Sequence, residues 1–225
     1  QLAGRVDYYG SGKAVPGVKK IAAVPSGVAV IATGYWPAKQ ARELLELEWD
    51  LGPGAALNSD GLRAQYAELA TKPGVTARTQ GRPDAAYEQA AQKLEAEYEV
   101  PFLSHSPMEP LNCVVDLTKD KCMLWTGTQF QTVDRDAAAQ VAGLKPAQVE
   151  IHTALLGGGF GRRANPASDF VREAVEVAKL VKVPVKVLWS REDDIRGGYY
   201  RPAWYDRLSA GLDADGRPVA WRHTV

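Results

Sequence analysis

The stretch LLGGGFGRR, Leu155–Arg163, organises the second half of this sequence. Consecutive glycines lose more backbone entropy on folding than any other residues, so they need a reason. The run lies between an apolar strand predicted at Val149–Leu156 and an amphipathic helix, for which Asn165 is the predicted cap and Pro166 the first residue. A bare backbone beside Phe160 and two arginines favours a packed ligand wall with anion-pairing side chains.

Two familiar phosphate-binding motifs are excluded by the spacing of this loop. Counted from Gly157, the G-x-G-x-x-G fingerprint meets Arg162 where a glycine is needed. No G-K-[ST] follows the glycines, which excludes a P-loop. A strand–loop–helix glycine run still presents N–H groups that suit an anion, and a flexible glycine turn is the alternative interpretation.

Composition narrows the function classes. The chain has 225 residues, 45% of them hydrophobic, and 27 basic residues balance 27 acidic ones. This balance gives no field that recruits nucleic acid. The longest apolar stretch, Ile21–Trp36, is interrupted by a proline and two glycines, so it does not predict a membrane span.

Outward from the loop, the first half of the chain is sparser. Residues 1–50 are predicted to form a small β-α-β unit, with a strand at Gly27–Ala32, a helix beginning near Pro37 and a final strand LELEW. Residues 51–84 are rich in glycine, proline and polar residues. They are predicted to be a linker with one short helix at Leu62–Ala70.

Residues 85–225 alternate helices, strands and hairpins without a strict βαβ order, which predicts the α+β class with mixed sheets, hairpins and packed helices. The predicted elements are helices at Ala85–Leu94 and Val133–Leu144, strands at Ala96–Leu103 and Pro184–Ser190, and hairpins at Leu111–Thr126 and Asp206–Thr224. In the first hairpin, Cys113 is expected to face Thr126 and Cys122 to face Leu117. The two cysteines are therefore predicted to be buried free thiols.

The loop resembles the cofactor loop of molybdenum hydroxylases of the xanthine dehydrogenase and aldehyde oxidase family. The form GGGFGRR is most similar to the large subunits of the isoquinoline 1-oxidoreductase and membrane-associated aldehyde dehydrogenase branch. Four further segments match in family order: PFLSHSPMEPLNC (Pro101–Cys113), TGTQFQ (Thr126–Gln131), WSREDDIRGGYYRP (Trp189–Pro202) and GLDADGRPVAWRH (Gly211–His223). The resemblance implies that residues 1–50 are a hammerhead-like piece and that residues 85–225 are part of the first molybdenum-cofactor-binding domain.

The resemblance also implies roles for single residues. Gln129 matches a glutamine that donates a hydrogen bond to an oxygen ligand of the metal, and Arg201 matches an arginine that orients substrate. Arg163 and its neighbour are expected to pair with cofactor phosphate. The metal is held by the pterin dithiolene in this family, so no protein ligand is expected. Contact with the cofactor is assigned to Gly158, Gly159, Phe160, Gly161 and Arg162.

The function implied by the family is hydroxylation of aldehydes or N-heterocycles with oxygen from water. The implied cofactor is molybdenum–molybdopterin cytosine dinucleotide. The implied partners are the rest of the large subunit, a small [2Fe-2S] subunit and a cytochrome c subunit. A periplasmic or membrane-associated location is expected, with the cytoplasm as the alternative. No glutamate stands in the Gly-x-Gly-Glu context of the family's base, so this stretch alone is expected to be an inactive fragment without molybdenum. A non-catalytic module that binds a nucleotide or small anion, or a scaffold that binds neither, remains open.

Other polar residues are assigned structural roles. In SHSPMEP, two prolines break the helix that would align His105 with Glu109, which favours structural hydrogen bonds over a zinc or acid–base site. His152 is predicted to be a core or interface histidine. The acidic run Glu192–Asp194 is predicted to be a solvated turn and helix start.

Overall fold

The computed structural model describes residues 6–225, which form two compact units. The loop unit comprises the residues up to Gly52 together with Ser104–Tyr200, and the hairpin unit comprises Pro53–Leu103 together with Arg201–Val225. This division by compactness differs from the predicted division at residues 50 and 84. The predicted domains describe family segments in chain order, and their assignment stays a prediction.

Helices and strands occur in similar proportion, and the predicted α+β class is confirmed. The helices are α1 (Tyr35–Glu43), α2 (Ser59–Leu69), α3 (Pro83–Glu88), α4 (Gln131–Ala142), α5 (Asp169–Ala178) and α6 (Arg191–Arg196). The strands are β1 (Val6–Gly10), β2 (Val18–Val24), β3 (Gly27–Ala32), β4 (Leu45–Trp49), β5 (Gln92–Val100), β6 (Asn112–Leu117), β7 (Cys122–Thr126), β8 (Val149–Thr153), β9 (Val185–Leu188), β10 (Trp204–Leu212) and β11 (Pro218–Thr224). Within this part of the chain, no helix is both long enough and apolar enough to cross a bilayer.

The core of the loop unit lies under a four-stranded mixed sheet with the order β8-β7-β6-β9. Strands β7 and β8 are parallel, whereas β6 pairs antiparallel with β7 and β9. One face is covered by α4 and α5, whose apolar residues recur with helical spacing. The buried side chains include Leu111, Val115, Leu124, Ala138, Phe170, Val171 and Val175.

The two thiols lie where the sequence predicts them. Cys122 pairs with Leu117 in the β6–β7 ladder, and both cysteines are buried and free. Burial raises the pKa of Cys113 to about 12 and that of Cys122 to about 11. Both thiols are therefore protonated and unreactive at neutral pH.

The strand, helix and strand predicted within residues 1–50 are present as β3, α1 and β4, but β3 and β4 do not pair with each other. Strand β3 pairs with β2, which was not predicted, and β4 pairs with β1, so two separate antiparallel ladders form. The reason is the short connection Pro25–Ser26 between β2 and β3, because two strands joined so closely pair with each other as a hairpin.

The hairpin unit is built on the antiparallel sheet β11-β10-β5. The predicted hairpin around Asp215 and Gly216 is confirmed, and Gly216 has a φ of 79°. The predicted helix Ala85–Leu94 is wrong beyond Glu88, because Gln92–Val100 pairs residue by residue with β10. This long-range pairing outweighs a local preference for helix.

Two boundaries around the glycine loop also differ from the predicted ones. Strand β8 ends at Thr153 rather than Leu156, since its partner β7 ends at Thr126. Helix α5 begins at Asp169 rather than Pro166. Asn165 does not cap this helix; its side-chain oxygen accepts from the Ala167 N–H at 2.7 Å and closes a separate turn.

Candidate functional site

The glycine loop has an unusual backbone conformation. Gly158 and Gly161 have φ values of 103° and 95°, which favour glycine, and Phe160 has a φ of 53°. For an aromatic residue this conformation costs about 1–3 kcal/mol and persists only where the surroundings impose it. The Phe160 side chain is nevertheless 76% exposed, so contacts of its own ring do not hold it there. The loop shape is therefore imposed by the neighbouring backbone and side chains.

Protein neighbours approach three glycines of the loop closely. A Cβ on Gly157 would collide with the side chain of Glu109, and a Cβ on Gly159 would collide with the carboxamide of Gln129. A Cβ on Gly158 would lie 3.2 Å from the Cβ of Pro107. The bare backbone thus lets the SHSPMEP and TGTQFQ segments pack against the loop.

Gln129 is held by one backbone and one side-chain hydrogen bond. Its backbone N–H donates to the Arg163 carbonyl at 3.0 Å, and its side-chain Oε1 accepts from the Gly161 N–H at 3.2 Å. Because Oε1 takes the N–H donor, the other end of the carboxamide is the NH₂ group. Its Nε2 makes no hydrogen bond to the residues that the structure describes, and the side chain is exposed. Gln129 therefore presents a neutral donor next to the loop.

The turn that presents Gln129 is closed by Thr128. The Thr128 hydroxyl donates to the Asp134 carboxylate in the first turn of α4 and accepts from the Phe130 N–H at 2.9 Å. Thr128 and Asp134 are buried. Burial raises the pKa of Asp134, although the hydrogen bond from Thr128 opposes that rise. This polar pair, which the sequence analysis missed, fixes the start of α4.

Arg163 is buried and joins three segments of the chain. Its Nε donates to the Gly158 carbonyl at 3.0 Å, and its Nη1 donates to the Gly127 carbonyl at 3.2 Å. Its Nη2 donates to the backbone carbonyl of Glu109 at 3.0 Å and to the Glu109 Oε2 at 2.9 Å. The glycine loop, the TGTQFQ segment and the SHSPMEP segment thus meet at one guanidinium group.

Glu109 has the structural role that the sequence predicts. Its Oε2 also accepts from the Gly157 N–H at 3.0 Å, and its Oε1 accepts from Asn112 at 2.9 Å. Burial works to raise the pKa of this carboxyl, but the hydrogen bonds from Gly157 and Asn112 and the charge of Arg163 lower it overall. Glu109 is therefore a carboxylate at neutral pH, and its main-chain N–H donates to Gly157 as well.

Arg162 is also directed into the protein. Its guanidinium makes two hydrogen bonds to Asp169, at 3.0 and 2.6 Å, and only 2% of its side chain is exposed. It lies 5.4 Å from the ring centroid of Trp189 and against the backbone of Gly198, which has a φ of 77°. Both arginines of the motif thus make internal contacts, and their pairing with cofactor phosphate stays a prediction.

The acidic run in α6 is only partly solvated. Asp193 closes a capping box with Ser190, as a helix start predicts, but Asp194 is buried, which corrects the prediction of a solvated cluster. Burial raises the Asp194 pKa, which Arg191 opposes at a distance of 3.0 Å. Arg191 also donates to the carbonyls of Pro107 and Met108, each at 2.7 Å. The buried carboxylate thus orients an arginine that supports the SHSPMEP backbone.

Two other predicted residues are exposed. Arg201 is exposed in the hairpin unit, where its backbone pairs with Leu103 through bonds of 2.8 and 3.3 Å. His152 is not a core residue, because it lies on the outer face of β8, where it is exposed and stacks on Trp125 at 5.0 Å. Glu150 is its other partner, at 3.1 Å.

Comparison with known proteins identifies the group to which this arrangement belongs. Residues 68–225 match the family model described as the molybdopterin cofactor-binding domain. The chain belongs to this family. The predicted resemblance to molybdenum hydroxylases is therefore confirmed, and the match includes the glycine loop, Gln129 and Arg201.

The relatives are oxidoreductases by name. The chain is 32% identical to isoquinoline 1-oxidoreductase subunit beta of Brevundimonas diminuta, over 96% of this chain and 29% of that protein. It is 30% identical to the aldehyde oxidoreductase molybdenum-binding subunit PaoC of Escherichia coli K12, over 86% of this chain and 26% of that protein. The chain thus spans less than a third of the length of these relatives.

The fold is shared with solved structures of similar proteins. Quinoline 2-oxidoreductase from Pseudomonas putida 86 superposes with a TM-score of 0.71 at 19% identity, covering 99% of this chain and 34% of that one. Aldehyde oxidoreductase from Desulfovibrio gigas superposes with a TM-score of 0.66 at 15% identity, covering 99% and 29%. At these identities the likeness establishes the fold.

The residues of the loop suit an oxygen-rich, flat cofactor. The loop offers backbone without side chains at Gly158 and Gly159, whose N–H groups make no hydrogen bond within the described part of the chain. Beside them lie the NH₂ group of Gln129 and the exposed ring of Phe160. Neutral donors and an aromatic wall fit a molybdopterin group without adding charge at its surface.

Proposed function

We propose that this chain is a section of the large subunit of a molybdenum oxidoreductase that hydroxylates aldehydes or N-heterocycles. The observation that carries the proposal is the orientation of Gln129. Its Oε1 is fixed by the Gly161 N–H, so its NH₂ group is the end available to a ligand. A donor held in this way stabilises negative charge on a ligand oxygen without reorganising during the reaction.

The residues divide the work of holding the cofactor. Gly158 and Gly159 would offer it their free N–H groups, Gly161 would lie beside it without a side chain, and Phe160 would form the wall of the substrate cavity. When bound, the molybdenum cofactor supplies the two-electron oxidation in which a substrate C–H and water become C–OH, two protons and two electrons. Arg201 is proposed to orient the substrate. Its exposed side chain is compatible with that role.

The finer assignments follow from the relatives. The isoquinoline and aldehyde oxidoreductase relatives favour N-heterocycles and aldehydes as substrates here. The cofactor is proposed to be the cytosine dinucleotide form. The electrons are proposed to pass to a [2Fe-2S] subunit and then to a cytochrome c subunit, in a periplasmic or membrane-associated complex. The chain without the rest of the large subunit is proposed to be inactive.

The test uses the complete enzyme that contains this chain. Gln129→Ala is expected to keep stoichiometric molybdenum and to lower kcat by about 10- to 100-fold, because a donor next to the cofactor is lost. Gln148→Ala is the matched control; this glutamine donates to the Asp120 carbonyl instead, at 2.8 Å. An unchanged kcat in Gln129→Ala would count against its role at the cofactor.

The alternative is a non-catalytic module that binds a nucleotide or small anion through the same free N–H groups. Elemental analysis and nucleotide release from the wild-type protein separate the two functions. Molybdenum with an equimolar cytosine nucleotide supports the oxidoreductase. A nucleotide without molybdenum would favour the binding module, and the absence of both would favour a scaffold.

A further inference from the structure

We propose that Arg163 is a positioning residue: together with Glu109 it holds the glycine loop and Gln129 in the geometry that the reaction needs. This inference rests on the proposed function of the loop. It gives Arg163 a role different from the phosphate contact that the sequence suggests. Arg163 acts through Gln129 and does not touch the cofactor itself.

The first step is that all three nitrogens of the Arg163 side chain make hydrogen bonds inside the protein. None of the side chain is exposed, and its three nitrogens make four hydrogen bonds of 2.9–3.2 Å. Three of the four acceptors are backbone carbonyls, those of Gly158, Gly127 and Glu109. A buried guanidinium with every nitrogen engaged offers no group to an external phosphate, but it fixes the relative positions of three backbones.

The second step is the path from Arg163 to Gln129. The carbonyl of Arg163 accepts from the Gln129 N–H at 3.0 Å, and the Gln129 Oε1 accepts from the Gly161 N–H at 3.2 Å. Since Gly161 lies two residues before Arg163, these bonds close a ring. The direction of the Gln129 NH₂ group is therefore set by where Arg163 lies.

The third step is the contribution of Glu109. Its carboxylate accepts from both the Arg163 Nη2 and the Gly157 N–H, so it fixes the opposite end of the loop. The half-exposed carboxylate also balances the buried charge of Arg163. The loop between Gly157 and Arg163 is thus tied at both ends to one side chain. This tie explains how the left-handed Phe160 is maintained without burial of its ring.

A lysine cannot reproduce this arrangement. Its ammonium group is a single point with three donors, whereas the four acceptors around Arg163 are spread along a planar fork. Arg163→Lys is therefore expected to keep the charge but to lose the bonds to Gly158 and Gly127. Arg163→Lys is the most informative variant because it retains the pairing with Glu109. It is also expected to fold more readily than Arg163→Ala.

The experiment compares Arg163→Lys with Arg172→Lys in the complete enzyme. Arg172 lies in the same unit, and its guanidinium also binds a backbone carbonyl and an amide oxygen, Ala167 at 3.0 Å and Gln140 at 2.6 Å, away from the loop. In cofactor-free protein, amide exchange of the peptide 155–163 is expected to be at least about tenfold faster in Arg163→Lys than in Arg172→Lys. Equal exchange in the two variants would overturn the proposal.

The second measurement tests action through Gln129. In loaded enzyme, Arg163→Lys is expected to lower kcat by about 10- to 100-fold with KM changed less than about twofold. In a Gln129→Ala background the same substitution is expected to have no further effect on kcat, because both changes remove one interaction. Additive losses would overturn the proposal. So would a loss of molybdenum without faster loop exchange, which indicates a direct cofactor contact. Wild-type protein that holds no molybdenum would instead refute the proposed function. Amide exchange of the loop would still show whether Arg163 holds the loop in place.

Discussion

Ion pairs of the same geometry serve different purposes in the two units. In the loop unit, the pairs Arg162–Asp169 and Arg163–Glu109 have distances of 2.6 and 2.9 Å, and the two guanidinium groups are 2% and 0% exposed. In the hairpin unit, the pairs Arg63–Glu99 and Arg207–Glu97 have distances of 2.6 and 2.9 Å. There the arginine side chains are 63% and 42% exposed. Distance does not separate the two groups, but burial does.

Burial changes what an ion pair is for. In an exposed pair, each charged group gives up contacts with water for contacts with its partner. The net contribution to stability is about 0–1 kcal/mol. A buried guanidinium has lost its water, so every N–H needs a protein acceptor, and removing one partner leaves the rest unsatisfied. Three of the four acceptors around Arg163 are backbone carbonyls, and the result is a fixed loop shape. In the hairpin unit the ion pairs lie on the surface of a sheet that is held together by the backbone hydrogen bonds between its strands.

The largest effect on stability is expected from removing one partner of a buried ion pair. Arg162→Ala leaves the Asp169 carboxylate without its two hydrogen bonds and opens a space against Trp189 and Gly198. We expect a loss of about 3–5 kcal/mol in the free energy of unfolding, measured by denaturant titration. A loss below about 1 kcal/mol would mean that burial does not distinguish the two groups of pairs.

A smaller effect is expected from adding one methyl group to the loop. In Gly159→Ala the new Cβ meets the end of the flexible Gln129 side chain, which must move and give up the Gly161 N–H. We expect a loss of about 1–3 kcal/mol in the free energy of unfolding. Gly74→Ala in the hairpin unit is the matched control, because its Cβ would enter open space. A cost at Gly74 equal to that at Gly159 would contradict the close packing of the loop.

Local patterns in the sequence predicted the elements that depend on neighbours in the chain. Asp215 and Gly216 predicted the β10–β11 hairpin, and the helix predicted at Val133–Leu144 is present as α4, Gln131–Ala142. The amphipathic spacing of α5 predicted a buried helix, which is present. Each of these signals acts within a few residues, so it is visible in a single sequence.

The errors arose where distant residues decide. The helix predicted through Leu94 yields to β5 because the partner strand β10 lies more than a hundred residues later. The inward contacts of Arg163 are invisible in the sequence for the same reason: its carboxylate partner, Glu109, is 54 residues away. Two arginines after a glycine run suggest charges offered to a ligand, and the sequence carries no local sign that they fold inward. The resemblance drew attention to the glycine loop, while the tertiary contacts determine which of its groups are exposed.

The smallest effect is expected on the exposed side of the comparison. Arg63 lies on α2 and reaches the Glu99 carboxylate at 2.6 Å, but both side chains are exposed, at 63% and 39%. Water replaces the guanidinium when it is removed, and ordering two long side chains already offsets much of the attraction. Arg63→Ala is therefore expected to change the free energy of unfolding by less than about 0.5 kcal/mol, and by less still at high salt, in the same titration that reports Arg162→Ala. A loss above about 2 kcal/mol at Arg63 would show that the short distance, rather than burial, sets the strength of these pairs. The exposed pair would then contribute as much as a buried one, and the contrast between the two units would be wrong even if Arg162→Ala behaved as expected.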